Sequence, residues 1–163
     1  MYIRGEDHQS IHKGKLALAK SKDIVLECTI DDANSLPEYS LGERVLKLRK
    51  LRQFTTKKLA QKSSISEGTI SNIEKSRTTP NVTTLNKLCQ VLNTTNVYLL
   101  NTDSWPETTS GEIIYKYRMI RGLTQRDLAK RCNLHYSTIQ DYEKNRLSNS
   151  DTLQIIYKEI GYK

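Results

Sequence analysis

The chain has 163 residues, with 26 Lys plus Arg against 18 Asp plus Glu, a net charge of +8 and 36% hydrophobic residues, the composition of a soluble basic protein. No run approaches the ~18 consecutive apolar residues of a membrane span and Met1 to Ser10 lack the apolar stretch of a signal peptide, so a cytoplasmic protein is expected. Seven Gly and three Pro exclude collagen-like and Pro/Gly-rich disordered chains, and three cysteines (Cys28, Cys89, Cys132), odd in number and far apart, make neither a disulfide framework nor a zinc motif and read as reduced, buried small hydrophobes.

Residues 1–40 form an N-terminal extension with five basic and seven acidic side chains, net −2. Leu16 to Ala19 and Ile24 to Ile30 are short apolar runs separated by Lys20-Ser21-Lys22-Asp23, compatible with a small hairpin, a helix or partial disorder. His8 and His12 stand four apart, a spacing that can hold a metal on a helix. With no Cys nearby and no further His in the segment they read as part of a tail, and no metal or cofactor is expected.

Residues 41–100 carry eleven basic and three acidic side chains, net +8. Leu41, Val45 and Leu48 have helical spacing and predict a first helix from 41 to about 52. Thr55 can cap a second helix carrying Leu59 and Ala60, and Ser66 a third carrying Ile70 and Ile73, with only Ser63-Ser64-Ile65 between them. Pro80 suits the first turn of a fourth helix with Leu85, Leu88 and Leu92 on one face, and Val97 to Leu100 add a fifth. Residues 101–109, net −2, have linker composition, with Trp105-Pro106 able to dock locally. Residues 110–163, ten basic and six acidic, repeat the pattern through Ile114 and Tyr117, Leu128 and Ala129, Ile139 and Tyr142, then Leu153, Ile156 and Ile160. No counterpart of the fifth helix is expected before Lys163. Thr124 with Asp127 three residues on is a capping-box form.

Sliding the sequence by 69 positions makes the repetition explicit. Gly42-Glu43, Lys47, Arg49, Arg52, Thr55, Leu59-Ala60, Thr69-Ile70, Glu74-Lys75 and Arg77 meet Gly111-Glu112, Lys116, Arg118, Arg121, Thr124, Leu128-Ala129, Thr138-Ile139, Glu143-Lys144 and Arg146, 13 identities over residues 42–77. After a one-residue deletion Thr84-Leu85 falls on Thr152-Leu153. A period of about 70 residues is too long for a solenoid and suits two small domains of one fold. Each buries only about 60% of its unfolded-chain surface and should be modestly stable. The fold class is therefore all-α: two tandem helical bundles, at 41–100 and 110–163.

Two helices joined by a tight turn, the second opened by a short polar residue, form a helix-turn-helix unit. The run Leu123 to Ala129, then Leu134, Ser137 to Glu143 and Arg146 resembles the lambda-repressor-like, Cro-type (xenobiotic-response-element type, XRE) helix-turn-helix family. The first block matches it through Leu59-Ala60, Ile65-Ser66, Thr69 to Glu74, Arg77 and Pro80 to Leu92. The resemblance implies duplex-DNA binding, and a partly buried ion pair of Arg49 with Glu74 and of Arg118 with Glu143. Ser64 and Asn133 stand where the family usually has a turn Gly.

With Ile70 and Ile73 inward, Glu67, Gly68, Ser71, Asn72 and Lys75 face outward and can enter a major groove, Ser66 opening the helix beside them. An Asn amide reads adenine N6 and N7, which makes Asn72 the foremost base-reading residue; Glu67 can accept from cytosine N4, and Gly68 lets the backbone approach. Lys57, Lys58, Lys75 and Arg77 are phosphate candidates, and Thr56 stands where the family often has a phosphate-contacting Gln. That Gln is present in the second block as Gln125. Its outer face comprises Tyr136, Ser137, Gln140, Asp141 and Lys144, with Arg126 and Arg146 for phosphates. Asp141 is unfavourable beside DNA unless it meets a cytosine amino group.

The first block, being more basic, ranks above the second for DNA binding, whereas the six tyrosines of the second (Tyr115, Tyr117, Tyr136, Tyr142, Tyr157, Tyr162) suit protein contacts as well as a core. Taken with Ser110, the ten residues from Asn101 span roughly 17 Å r.m.s. as a flexible linker and at most about 33 Å, close to the ~34 Å between half-sites one turn apart. One chain could thus act as a covalent pseudo-dimer; a homodimer through the tyrosine-rich block is the competing arrangement. No glycine-rich phosphate loop, HExxH or GxSxG is present, and His135 sits at a helix cap, so no enzyme is expected. The functional expectation is a bacterial or phage DNA-binding transcriptional repressor. Its alternatives are a protein-interaction adaptor, such as an antitoxin or anti-repressor using the second repeat or residues 1–40, and the specificity subunit of a DNA-modifying enzyme.

Overall fold

The computed structural model describes residues 30–163; the His8/His12 pair, Cys28 and the apolar runs up to residue 29 lie outside the described residues. All regular structure among the described residues is helical: α1 (Ile30–Asn34), α2 (Leu41–Leu51), α3 (Thr56–Ser63), α4 (Glu67–Glu74), α5 (Val82–Val91), α6 (Asn96–Leu100), a 3₁₀ turn (Thr102–Ser104), α7 (Ser110–Ile120), α8 (Gln125–Arg131), α9 (Tyr136–Glu143) and α10 (Ser150–Ile160). None is long and apolar enough to cross a membrane.

Short polar residues set the helix starts. Ser40 with Glu43, Thr109 with Glu112 and Thr124 with Asp127 form reciprocal capping boxes, while Thr55, Ser66, Asn81, Thr95 and Asn149 each accept from a backbone N–H three residues on. Each such cap is worth about 1 kcal/mol, a large share for helices of two or three turns. Asn81 also relocates the fourth helix. Pro80 was expected in its first turn, but the cap falls on Asn81, so α5 begins at Val82 and Pro80 stands buried before it.

Chain reversals are made with little glycine. Ser64, Ser76, Gln53 and Asn93 adopt positive φ in the first unit, and Asn133, Asn145, Gly122 (φ 64) and Gly161 (φ 66) do so at the corresponding places of the second. The left-handed residue after a helix lets its N–H satisfy an orphan carbonyl, as Ser64 N–H does for Ala60.

Two apolar clusters result. Val45, Leu59, Ile70, Ile73, Leu85, Leu88, Leu92 and Leu99 centre the first; Ile114, Leu128, Ile139, Tyr142, Ile156 and Ile160 centre the second. The hydrogen bonds of the first unit reach back before residue 41: Glu38 accepts from Lys47 Nζ at 2.6 Å and from Tyr98 Oη at 2.5 Å. These bonds hold the Glu38 carboxyl below its usual range. Burial, then the bond to Glu38, pushes Tyr98 up to about 12.

Residues 101–109 are packed rather than free. Thr102 is buried, Trp105 lies against the first cluster, and its ring stacks on Tyr115 at 5.4 Å. Lys116 Nζ donates to Trp105 O at 3.1 Å and pairs with Glu107 at 2.8 Å. The random-coil span expected for a flexible linker therefore does not describe this segment. Further contacts join the units directly. Met119 of α7 is sunk in the first apolar cluster, and Asn86 Nδ2 donates to Gly122 O at 2.7 Å.

Candidate nucleic-acid interface

In each unit the outward helix is held by its own first helix. A Cβ on Gly42 would lie 2.3 Å from Ile73 O, and one on Gly111 2.5 Å from Glu143 O. Only glycine lets α2 and α7 approach the ends of α4 and α9 this closely. Arg49 then clamps α4: Nε and Nη2 donate to the two Glu74 carboxylate oxygens at 2.6 and 2.9 Å, and Nη1 donates to Phe54 O at 2.8 Å. Arg118 repeats this on Glu143 at 2.5 and 3.1 Å and on Leu123 O at 2.8 Å. These residues are spent in a two-pronged, nearly buried ion pair. Ala60 and Ala129 are buried, as close packing of α3 on α4 and of α8 on α9 requires.

On α4, Ile70 and Ile73 are buried while Glu67, Gly68 and Lys75 are exposed and Ser71 and Asn72 half-buried. The Asn72 amide has no hydrogen-bond partner among the described residues, nor do the side chains of Glu67, Lys57, Lys75 and Arg77. Lys57 and Lys58 are exposed in the first turn of α3 beside half-buried Thr56, with Lys58 Nζ 5.7 Å from the centre of the Phe54 ring. Ser66 is occupied: its Oγ accepts from Thr69 N at 3.1 Å. A groove runs from Thr69 and Asn72 to Thr78, Thr79, Pro80 and Asn81. That loop had not been singled out, although its short polar residues and proline between two helices carry the signal.

The second face is more self-satisfied. Ile139 and Tyr142 of α9 are buried, and Gln140 and Lys144 keep unpartnered side chains. Gln125, expected at a phosphate, donates from Nε2 to Glu143 at 2.7 Å. Ser137 Oγ lies 2.7 Å from His135 Nδ1, and His135 caps α9 as expected. Asp141 meets Arg146 at 3.4 Å, which offsets its charge and occupies part of Arg146, and the Arg126 guanidinium lies 5.4 Å from the Tyr136 ring. Of the tyrosines, Tyr142 is in the core and Tyr117, Tyr157 and Tyr162 pack edge to face. Among the tyrosines of the second block, Tyr115 and Tyr136 are the substantially exposed ones.

The two thiols among the described residues, Cys89 and Cys132, are buried. Burial raises Cys89 and Cys132 to about 11, the latter also through Glu159, which leaves both protonated and unreactive at neutral pH. No group of His, Cys, Asp and Glu among the described residues is arranged to hold a metal.

Two short helices crossing a tight turn, each pair steadied by a third helix and showing an uncovered polar face, define tandem helix-turn-helix units. The family model described as helix-turn-helix matches residues 45–99 and again 114–163, together more than half of the chain. The chain belongs to that family, in its Cro-type (XRE) class and in two tandem copies, which makes it a DNA-binding helix-turn-helix regulator. The comparisons with curated proteins and with solved structures gave no match.

Proposed function

We propose that the chain is a transcriptional repressor of bacterial or phage origin that reads specific duplex DNA with the outward faces of α4 and α9. Residues 41–100 and 110–163 serve as its two reading units, and residues 101–109 set them relative to each other. The observation that carries the reading is the half-buried Asn72 amide, unpartnered on a face whose neighbours Lys57, Lys75 and Arg77 are unpaired cations. A polar group so placed has its hydrogen-bonding capacity available for a ligand, and cations around it favour a polyanion. The amide is the base-reading group and the cations the phosphate-positioning ones.

The first unit contributes more of the affinity. It holds more of the net charge, and the second spends Gln125, Ser137, Asp141 and Arg146 on contacts within the protein. Asn72→Ala and Lys75→Ala separate the two roles on a duplex selected from a random library. Asn72→Ala should relax preference at one base pair, worth about 1–3 kcal/mol there, and Lys75→Ala should weaken all sequences alike. Equal loss on every sequence from both changes would refute the assignment.

A further inference from the structure

Two like units related by a two-fold axis meet through one self-complementary patch: where residue i touches j, residue j touches i. The units of this chain meet otherwise. The first offers Asn86 of α5 and the apolar cluster under it; the second offers Met119 at the end of α7 and Gly122 in the turn beyond. Asn86 Nδ2 donates to Gly122 O at 2.7 Å and its Oδ1 accepts from Asn96 Nδ2 at 3.0 Å. A Cβ on Gly122 would lie 2.3 Å from Asn86 Oδ1, so the fit is close.

The register of the repeat places Lys50 opposite Met119, Gln53 opposite Gly122 and Gln154 opposite Asn86. Gln53 and Gln154 are exposed, and neither side chain has a hydrogen-bond partner among the described residues. The reciprocal half of a two-fold contact is therefore not made, and the interface is heterologous. The residues that make it are also not repeated, so the contact does not propagate to further copies.

The backbone of B-form DNA relates equivalent docking positions in only two ways: by a dyad, which reverses polarity, or by its own screw, which keeps it. A heterologous contact is incompatible with the first and compatible with the second. The DNA-side surfaces are also neighbours. Asn72 shares a groove with Pro80 and Asn81, and these share the next with Thr124 and Gln125 at the start of α8. The faces differ in chemistry, because Glu67, Gly68, Ser71 and Asn72 of α4 correspond to Tyr136, Ser137, Gln140 and Asp141 of α9.

We infer, resting on the DNA-reading function proposed above, that one chain recognises an asymmetric site: two unlike half-elements in the same polarity at one fixed spacing. The inverted repeat that a two-fold dimer requires is not its target. The packed junction through Trp105, Met119 and Asn86 fixes the spacing, and the different outward side chains make the half-elements different.

The full chain is used to select duplexes from a random library, and binding is then followed by fluorescence anisotropy at constant salt. The expected result is a consensus unequal to its reverse complement, bound one chain per site. Inverting the second half-element in place, or inserting 5 bp (about half a helical turn) between the halves, should weaken binding at least tenfold. An inverted-repeat consensus, a consensus of one half-element alone, or affinity within twofold after inversion would overturn the inference while leaving DNA recognition intact. Failure to enrich any sequence would overturn both.

Discussion

Glu74→Ala removes the acceptor of two Arg49 hydrogen bonds and leaves the guanidinium with Phe54 O alone. The pair is only 8% and 10% exposed, so the stranded cation cannot recover water without opening the contact between α2 and α4. Breaking a buried pair from one side costs about 3–5 kcal/mol, and the residual exposure places this one near 3–4. A unit of this size has only about 3–9 kcal/mol in total, so much of its margin would go. Arg49→Met should cost a similar amount by stranding Glu74, whereas the double change to Met at both positions should recover most of the loss. The second unit supplies an internal comparison. Arg118→Met leaves Glu143 with the Gln125 amide at 2.7 Å, and should cost about 1.5–3 kcal/mol less than Arg49→Met, the worth of one hydrogen bond to a charged group. Urea unfolding followed by far-ultraviolet circular dichroism and by Trp105 fluorescence measures all of these. Single changes costing under about 1 kcal/mol, or costs that simply add in the double variant, would refute the clamp.

Gly42→Ala gains at most ~1 kcal/mol of helix propensity but places a methyl 2.3 Å from Ile73 O; overpacking against backbone costs up to about 3 kcal/mol, so a net loss near 2 kcal/mol is expected in urea titrations. Ser64, at φ 51, should accept Ser64→Gly with a gain of about 0.5–1 kcal/mol, the ~1–2 kcal/mol of left-handed strain relieved less the ~0.5–1 kcal/mol of backbone freedom that glycine adds, seen as a higher thermal midpoint. Glu38→Gln should reduce stability at pH 7. Because the folded carboxyl titrates below its usual value, the wild type's advantage is present above the unfolded value of 4.5, fades as pH falls through the lower folded value, and is gone once the carboxyl is protonated in both states, where the two melting curves should coincide.

How much of this was legible in the sequence depends on what repeats. Helix starts were readable from Thr55, Ser66, Thr124 and His135, and the Arg–Glu clamps from their identical 25-residue spacing in the two blocks read beside the family resemblance, because local caps and duplicated contacts leave marks at fixed offsets. Where one local rule competed with another the reading slipped: Pro80 signalled a first turn, and Asn81 took the cap. Contacts made once were invisible. Asn86 meets Gly122 across 36 residues, and Met119 leaves its own block for the other block's core; neither has an equivalent in the repeat. The outward direction of Asn72 and Gln140 followed from the buried isoleucines beside them. Which outward groups stay unpartnered did not follow, because Gln125 meets Glu143 only once α8 and α9 are packed, and Ser137 turns back on the His135 ring that opens its own helix.

The most direct test of the account is the salt dependence of binding to the selected duplex. Affinity should fall linearly on a log–log plot of binding constant against salt, and Lys57→Ala or Lys75→Ala should each reduce the slope by about 1. Exposed Lys158, near the end of α10, which packs on α7 and α8, should leave the slope unchanged when replaced by Ala. Salt-insensitive binding, or equal slope changes from all three variants, would contradict the claim that α4 and its neighbours face the DNA.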